Sequence, residues 1–168
     1  LLDADEIAGA FEALKDAGKV LHFGVSNFTP SQFELLGSRL DFPLVTNEIQ
    51  FSPLYLDTYD DGTLDQCQRL RVSPMAWAPL GGGRLFGGDS EQIVRVRDEL
   101  VAVGAELDGA SVDQIALAWV MRHPSNIVPI LGTGKIERVR AAAEAVEIEL
   151  SREQWLRVWV ASTGHPLP

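Results

Sequence analysis

Apolar positions along the chain follow two alternating patterns, short continuous runs and longer stretches with helical spacing. Ile7, Phe11 and Leu14 stand three or four positions apart within residues 3–19, where acidic residues come first and lysines last. This spacing and charge order predict an amphipathic helix. Residues 20–25 then form a short apolar run, which predicts a buried strand. The alternation continues, with strands predicted at 44–51, 73–80 and 126–132 and helices at 29–40, 60–72, 90–107, 111–124, 133–146 and 150–162.

Several helix starts carry a capping box, in which a Ser or Thr is followed three residues later by Gln. The pairs are Thr29 with Gln32, Ser111 with Gln114, and Ser151 with Gln154. Short strands that are apolar on both faces and separated by helices are typical of parallel sheets. We therefore predict an α/β fold in which residues 1–168 belong to a single domain.

The pattern alone leaves two architectures open. A barrel of eight strand–helix units needs about 250 residues, and four units do not close one. An open doubly wound sheet fits the length of 168 residues. However, the Gly-rich fingerprint that usually follows the first strand of such a sheet is missing.

Composition and net charge limit the classes of binding partner and the cellular compartment that we expect for this protein. The net charge of −10 argues against a nucleic-acid or anionic-membrane partner, because phosphate groups attract basic surfaces. No apolar run is long enough for a membrane helix, and no secretory signal is visible. The single cysteine, Cys67, fits a reducing compartment, so we predict a cytoplasmic location. Because Leu1 opens the chain and leads directly into a helix, we expect a fragment of a longer protein.

Polar and aromatic side chains stand where the predicted strands end. Ser26 and Asn27 follow the first strand, Gln50 lies near the end of the second, and Trp77 lies near the end of the third. In parallel α/β folds these carboxyl ends build the binding sites. Hydroxyl and amide groups can match the donors and acceptor of a carboxamide, and an indole face can stack on a nicotinamide ring.

The fourth strand is followed by the sequence "GTGK" and a helix. Small residues at a helix start leave backbone N–H groups free to bind an anion. Lys135 and Arg138 add positive charge there, and an arginine can bind a phosphate with two hydrogen bonds. Two basic groups favour a 2′-phosphate, hence NADPH over NADH as the cofactor.

Each of these signals also has a structural interpretation. Ser26 and Asn27 could cap the next helix, Gln50 could satisfy a loop, and Trp77 could belong to the core. The sequence "GTGK" lacks the spacing of a phosphate-binding P-loop. Residues 81–88, "GGGRLFGG", could form a flexible lid. The functional interpretation depends on all the signals falling at the same end of successive strands.

Four segments together resemble the aldo-keto reductase family over about residues 5–163. They are "GKVLHFGVSNF", "TNEIQFSPL", "AWAPLGGGRL" and "IVPILGTGKIERVRAAAEA". The segments "GTGKIERVRAA" and "LSREQW" resemble a bacterial NADPH-dependent oxidoreductase subgroup. The resemblance implies a (β/α)8 TIM barrel, of which this chain supplies the C-terminal half, strands 5–8. It also implies NADPH-dependent reduction of aldehydes and ketones to alcohols by the complete protein.

The resemblance assigns a role to individual residues of the cofactor site. The positions that hold the nicotinamide carboxamide are Ser26, Asn27 and Gln50. The position that stacks on the nicotinamide is Trp77. The positions along the pyrophosphate are Ala78, Leu80 and Gly82, and Arg84 lies in the segment that folds over it. The positions of the 2′-phosphate turn are Gly132, Thr133, Gly134 and Lys135. Arg138 matches the arginine that contacts this phosphate or stacks on the adenine.

The chain departs from the family pattern in two places. Gly132 stands where many members have Lys, and Ala141 and Ala142 stand where many have Glu and Asn against the adenine. The family's catalytic Asp, Tyr, Lys and His belong to strands 2 to 4, so we predict no catalytic residue and no metal ligand here. Tyr55 and Tyr59 have no Lys partner at suitable positions, and the histidines His22 and His123 are interpreted as structural. The chain alone is therefore expected to be inactive.

Two other classes of protein stay open. One is a non-catalytic nucleotide-binding half-barrel or regulatory subunit, which would self-associate through the edges of its sheet. The other is a different phosphate-binding barrel, since phosphate sites near strands 7 and 8 are widespread. The expected partner of the complete enzyme is a small carbonyl substrate.

Overall fold

A computed structural model describes residues 2–167 as a four-stranded parallel sheet with helices packed on one of its faces. The strands are β1 (Phe23–Ser26), β2 (Leu44–Gln50), β3 (Met75–Trp77) and β4 (Val128–Pro129). They lie side by side in chain order and all neighbours are parallel. The predicted α/β class is confirmed.

Helices connect each strand to the next. Their bounds are α1 (Ala4–Asp16), α2 (Pro30–Gly37), α3 (Asp57–Asp60), α4 (Thr63–Leu70), α5 (Arg84–Gly87), α6 (Glu91–Glu106), α7 (Val112–Met121), α8 (Ile136–Glu144) and α9 (Arg152–Thr163). Two 3₁₀ turns cover Gly81–Gly83 and Ala145–Glu147. None of the helices between residues 2 and 167 is long and apolar enough to cross a membrane.

The three predicted capping boxes are confirmed, at Thr29, Ser111 and Ser151. At the start of α1 the carboxylate of Asp3 accepts hydrogen bonds from the backbone N–H groups of Asp5 and Glu6. Each cap satisfies backbone donors that have no partner inside the helix, which fixes where the helix begins.

Some predicted boundaries were wrong. The helix predicted at 60–72 is split, because Gly62 adopts a left-handed φ of 84° between α3 and α4. His22 is exposed and precedes β1 instead of lying inside the strand. The register of β1 against β2 shifts between Phe23 and Val25, which shortens the regular ladder.

The two faces of the sheet differ, contrary to the prediction that both are apolar. On β2, Asn47 and Ile49 are fully buried against the helices. The other face, here called the inner face, carries residues in register across the strands. Its members are Ser26, Thr46, Glu48, Gln50, Met75 and Trp77, which are half-buried or exposed.

An aromatic group fills the centre of the helical layer. The rings of Phe51 and Trp119 stack at 5.3 Å, and those of Trp119 and Trp155 stack at 4.9 Å. Each of the two indoles donates its N–H to the backbone carbonyl of the other tryptophan, at 2.9 and 3.0 Å. This reciprocal pair joins α7 to α9. Cys67 is also buried, which raises the pKa of its thiol to about 11.

Candidate functional site

The ends of β1 and β3 are joined by a small network of polar side chains. The indole N–H of Trp77 donates to the Oδ1 of Asn27 across 2.9 Å. The amide of Asn27 donates to the hydroxyl of Ser26, which donates to the backbone carbonyl of Glu48. The adjacent residues Ser26 and Asn27 therefore form one connected group with Trp77, which lies 50 positions beyond Asn27 in the sequence.

Gln50 lies next to this group. It is the register partner of Trp77 and is half-buried on the inner face. Its carboxamide makes no hydrogen bond with any residue in the range 2–167. Therefore the structure does not support the view that the Gln50 side chain satisfies the hydrogen-bonding groups of a loop. The helix-cap view of Ser26 and Asn27 is also wrong, because Thr29 caps α2.

The residues that follow β1 and β3 have unusual backbone conformations. Asn27 has a φ of 54° and Ala78 a φ of 50°, both left-handed. Asparagine tolerates this region, whereas alanine is disfavoured there by roughly 1 kcal/mol. Because such conformations persist only where the surroundings impose them, the ends of both strands are held in fixed positions.

The segment 81–88 contains the 3₁₀ turn Gly81–Gly83 and the short helix α5, and its role as a flexible lid stays a prediction. Gly81 has a φ of +64°, and an added Cβ would come within 2.6 Å of the Leu54 side chain. Only glycine satisfies both conditions at this position. Arg84 donates from Nε to the carbonyl of Gly81 at 3.1 Å, which closes the turn.

A cavity of about 810 Å³ separates this segment from the turn after β4. It brings together six of the predicted site residues, namely Ala78, Leu80, Gly82, Gly132, Thr133 and Arg138. Arg84, Gly134 and Lys135 do not line it. The backbone N–H of Lys135 donates to the Thr133 hydroxyl at 3.2 Å, which shapes the turn.

The cavity walls leave room for a bound molecule. A Cβ added at Gly82 or Gly132, which line the cavity, or at Gly134 in the adjoining turn, would meet no atom within 4 Å. Packing within residues 2–167 therefore does not require glycine at 132 and 134. Helix α8 begins at the same turn, and its N-cap residue Lys135 makes no side-chain capping bond. The first N–H groups of α8 are thus available to an anion.

The structure adds three residues to which the sequence analysis assigned no role in the site. Asn47, buried on the helix side, donates to the carbonyl of Phe28 at 2.8 Å and accepts from its N–H at 3.3 Å, which holds the segment after β1. Glu48 lies on the inner face, in register with Ser26. The two-residue period of β2 could have revealed both positions. Asp113 lines the cavity from α7, a contact between elements that no local motif signals.

The pKa of Tyr55 is raised, first by its hydrogen bond to Asp57 and then by burial and nearby acids. Tyr59 packs edge-on against His123 at 5.9 Å. Neither tyrosine lines the cavity. Among residues 2–167 no three His, Cys, Asp or Glu side chains converge in a way that could hold a metal ion.

A parallel sheet that gathers polar side chains at the carboxyl ends of its strands, beside a helix start facing a cavity, defines a ligand-binding protein of the β/α barrel class. The chain belongs to the aldo/keto reductase family, whose model matches residues 2–159. Members of this family generally use NAD(P)H. The four strands form half of the family's (β/α)8 barrel, in agreement with the predicted fold.

Comparison with known proteins gives the same family. The chain is 55% identical to the oxidoreductase YdhF of Escherichia coli over 168 residues, covering all of this chain and 56% of that protein. It is 44% identical to the 6-dehydroglucose reductase of Agrobacterium fabrum over 164 residues, covering 98% of the chain and 54% of that protein.

A solved structure has the same fold. The thermostable aldo-keto reductase Tm1743, crystallised with the inhibitor epalrestat, matches with a TM-score of 0.84 at 28% identity. The match covers 95% of this chain and 55% of that one. The chain thus spans about half the length of the relatives it matches.

Proposed function

We propose that this chain carries most of the NADPH site of an aldo-keto reductase, and that the complete protein reduces aldehydes or ketones to alcohols. The observation that carries the proposal is the connected group Ser26–Asn27–Trp77 beside the unpartnered Gln50 carboxamide. These groups supply donors, acceptors and an aromatic face within one end of the sheet.

The nicotinamide end of the cofactor is assigned to this group. Ser26, Asn27 and Gln50 would bind the carboxamide, because hydroxyl and amide groups satisfy its acceptor and its two donors. The Asn27 bond fixes the orientation of the Trp77 ring, whose face would support the flat nicotinamide. A bound reduced nicotinamide supplies a hydride; the residues of this chain orient its ring.

The phosphate end is assigned to the cavity. Gly132 and Gly134 leave open space for close backbone approach, and the start of α8 offers N–H donors. Arg138 lines the cavity and would bind the 2′-phosphate that distinguishes NADPH from NADH. Lys135 would add charge from beside the turn, while Ala78, Leu80 and Gly82 would border the pyrophosphate and Arg84 would brace their loop.

The proton donor is assigned to the part of the protein outside this chain. The raised pKa of Tyr55 makes it a weaker acid than an ordinary tyrosine. Tyr59 lies in the aromatic group of the helical layer, away from the inner face. We therefore expect the chain to bind cofactor without transferring hydride to a carbonyl.

The test is a titration of the purified 168-residue chain with NADPH and with NADH, followed by tryptophan fluorescence. We expect micromolar binding of NADPH and weaker binding of NADH. Arg138→Gln should lower NADPH affinity about tenfold and leave NADH nearly unchanged, since it removes a charged hydrogen bond to phosphate. Arg140→Gln, on the same helix but outside the cavity lining, is the matched control. Folded chain that binds neither nucleotide would contradict the proposal.

Self-association is a second prediction for the chain. Strands β1 and β4 are the edges of the sheet, and Val128 on β4 is 49% exposed. Unpaired strand edges and apolar side chains favour pairing with another strand. Size-exclusion chromatography at several concentrations measures it, and a monomer at every concentration would contradict it.

A further inference from the structure

A second cleft lies on the helical side of the molecule, away from the cofactor cavity. Its volume is about 470 Å³, within the usual size range of small-molecule sites. The side chains that matter to its chemistry are Tyr59, Asp65, Arg122, His123, Arg152 and Trp155. No residue lines both this cleft and the cavity assigned to the cofactor.

The floor of the cleft holds a buried histidine with one unused ring nitrogen. His123 is 8% exposed. Its Nδ1 accepts a hydrogen bond from the backbone N–H of Ser125 at 3.3 Å and lies 2.7 Å from the Ser125 hydroxyl. Burial lowers the pKa of His123, partly offset by the Asp65 carboxylate, which favours the neutral ring. The single proton therefore sits on Nε2, and no acceptor for it exists among residues 2–167.

Two guanidinium groups stand at the rim. Neither Arg122 nor Arg152 forms an ion pair with a carboxylate of residues 2–167. The Nε of Arg122 donates to the carbonyl of Leu150 at 3.1 Å, which positions the side chain and leaves its terminal amino groups free of that bond. In a chain with a net charge of −10, two arginines without acidic partners at one cleft mark a site for an anion.

The walls of the cleft are aromatic. The rings of Tyr59 and His123 meet edge to face at 5.9 Å, and Trp155 lies 6.2 Å from Tyr59 and 6.4 Å from His123. Such rings bind flat apolar groups by stacking and edge contacts. Asp65 contributes one negative charge against the two positive charges of the arginines, so the cleft remains attractive to an anion.

We propose that this cleft binds a small aromatic carboxylate. Its carboxylate would accept hydrogen bonds from the two guanidinium groups and from Nε2–H of His123, and its ring would pack against the Tyr59 and Trp155 side chains where they line the cleft. The proposal is independent of the cofactor assignment, because it uses none of the same residues.

The test uses benzoate as the probe and the ring signals of the histidines as the readout. The three histidines of the chain give separate ¹H–¹³C signals in NMR spectra. We expect benzoate to shift the His123 signal in a saturable way while the exposed His22 and His165 stay unchanged. Benzyl alcohol keeps the ring without the charge and acetate keeps the charge without the ring, so both should bind at least about fivefold more weakly.

Substitutions distinguish the site from general charge attraction. Arg152→Gln should weaken benzoate binding at least about fivefold, because it removes one of the two guanidinium groups that would bind the carboxylate. The Arg152 side chain is exposed, so the substitution leaves the core undisturbed. Lys19→Gln removes the same charge from a remote exposed position and should leave the affinity within about twofold. An unmoved His123 signal up to about 10 mM benzoate would overturn the proposal. Equal binding of acetate, or an unchanged affinity in Arg152→Gln, would overturn it as well.

Discussion

The indole N–H of Trp77 and the side-chain oxygen of Asn27 form a 2.9 Å hydrogen bond that spans the end of β2. Asn27 follows β1 and Trp77 ends β3, so the bond connects two strands that are not neighbours in the sheet. The backbone of Asn27 has a left-handed conformation, which together with this hydrogen bond fixes the direction of its side chain. The ring of Trp77 is therefore held at a defined angle before any ligand arrives.

Trp77→Phe should weaken NADPH binding about two- to tenfold, because it keeps an aromatic face but removes the hydrogen bond that orients it. The measurement is the dissociation constant from fluorescence or calorimetric titration. Trp159→Phe is the matched control, since the buried Trp159 indole N–H has no partner among residues 2–167 and its loss breaks no hydrogen bond there. An equal loss of affinity in both variants would show that the Asn27 bond is not the cause.

Glu48→Gln should weaken binding of NADP⁺ more than binding of NADPH, by about three- to tenfold. Glu48 shares the inner face with Ser26 and Gln50, where the nicotinamide is assigned. The oxidised nicotinamide ring is positively charged and the reduced ring is neutral, so a nearby carboxylate favours the oxidised form. Parallel titrations with NADP⁺ and NADPH measure the ratio of their two dissociation constants. Glu12→Gln, an exposed change on α1, should leave it unaltered, and the same ratio in Glu48→Gln as in the parent chain would refute the effect.

Gly81→Ala should lower the free energy of unfolding by about 2–4 kcal/mol, because it adds left-handed strain and a clash with Leu54. Gly82→Ala has the same φ of +64° but meets no atom within 4 Å, so it should cost only about 1 kcal/mol. The free energies of unfolding of the two variants in urea separate the cost of the left-handed backbone from the cost of the clash with Leu54. Equal losses would mean that Leu54 moves aside without cost.

His123 should make the protein less stable as the pH falls. Burial lowers the pKa of its imidazole in the folded state below the usual value of 6.5, against a smaller opposing effect of Asp65. The unfolded chain therefore binds a proton first, and the free energy of unfolding declines as the pH drops from 6.5 toward the folded-state pKa.

The measurement is urea unfolding at pH 7.5, 6.5 and 5.5, with His123→Gln as the comparison. In the parent chain the free energy of unfolding should decline across this pH range. In His123→Gln the part of this decline that comes from the histidine should be absent. His22→Gln, which changes an exposed histidine, should keep it. A parent chain and His123→Gln with the same pH profile would contradict the assignment.

Much of the fold follows from local sequence signals. The capping boxes at Thr29, Ser111 and Ser151 fix helix starts through hydrogen bonds between residues three apart, which a sequence displays directly. Strand lengths were overestimated, because a strand is defined by pairing with a neighbour. A strand was predicted at 126–132, where residues 127–131 are apolar throughout, yet only Val128 and Pro129 form a ladder with β3.

The site was predicted as a set of strand ends, and the structure groups most of these residues. The bond between Asn27 and Trp77 could not be foreseen, because it depends on a left-handed backbone and a separation of 50 residues. Arg84 was predicted to lie in the segment that folds over the pyrophosphate, and no sequence signal indicated that its Nε donates to the carbonyl of Gly81. Binding by all of these residues remains a prediction for the titrations above.

The reciprocal pair of Trp119 and Trp155 has a consequence for synthesis on the ribosome. The two residues are 36 positions apart in sequence. At roughly 5–20 residues per second, Trp119 emerges about 2–7 s before the helix that covers it. During that interval the buried side of α7 has no partner from α9. The speed of translation through this segment therefore sets how long a chaperone or a protease has access to it.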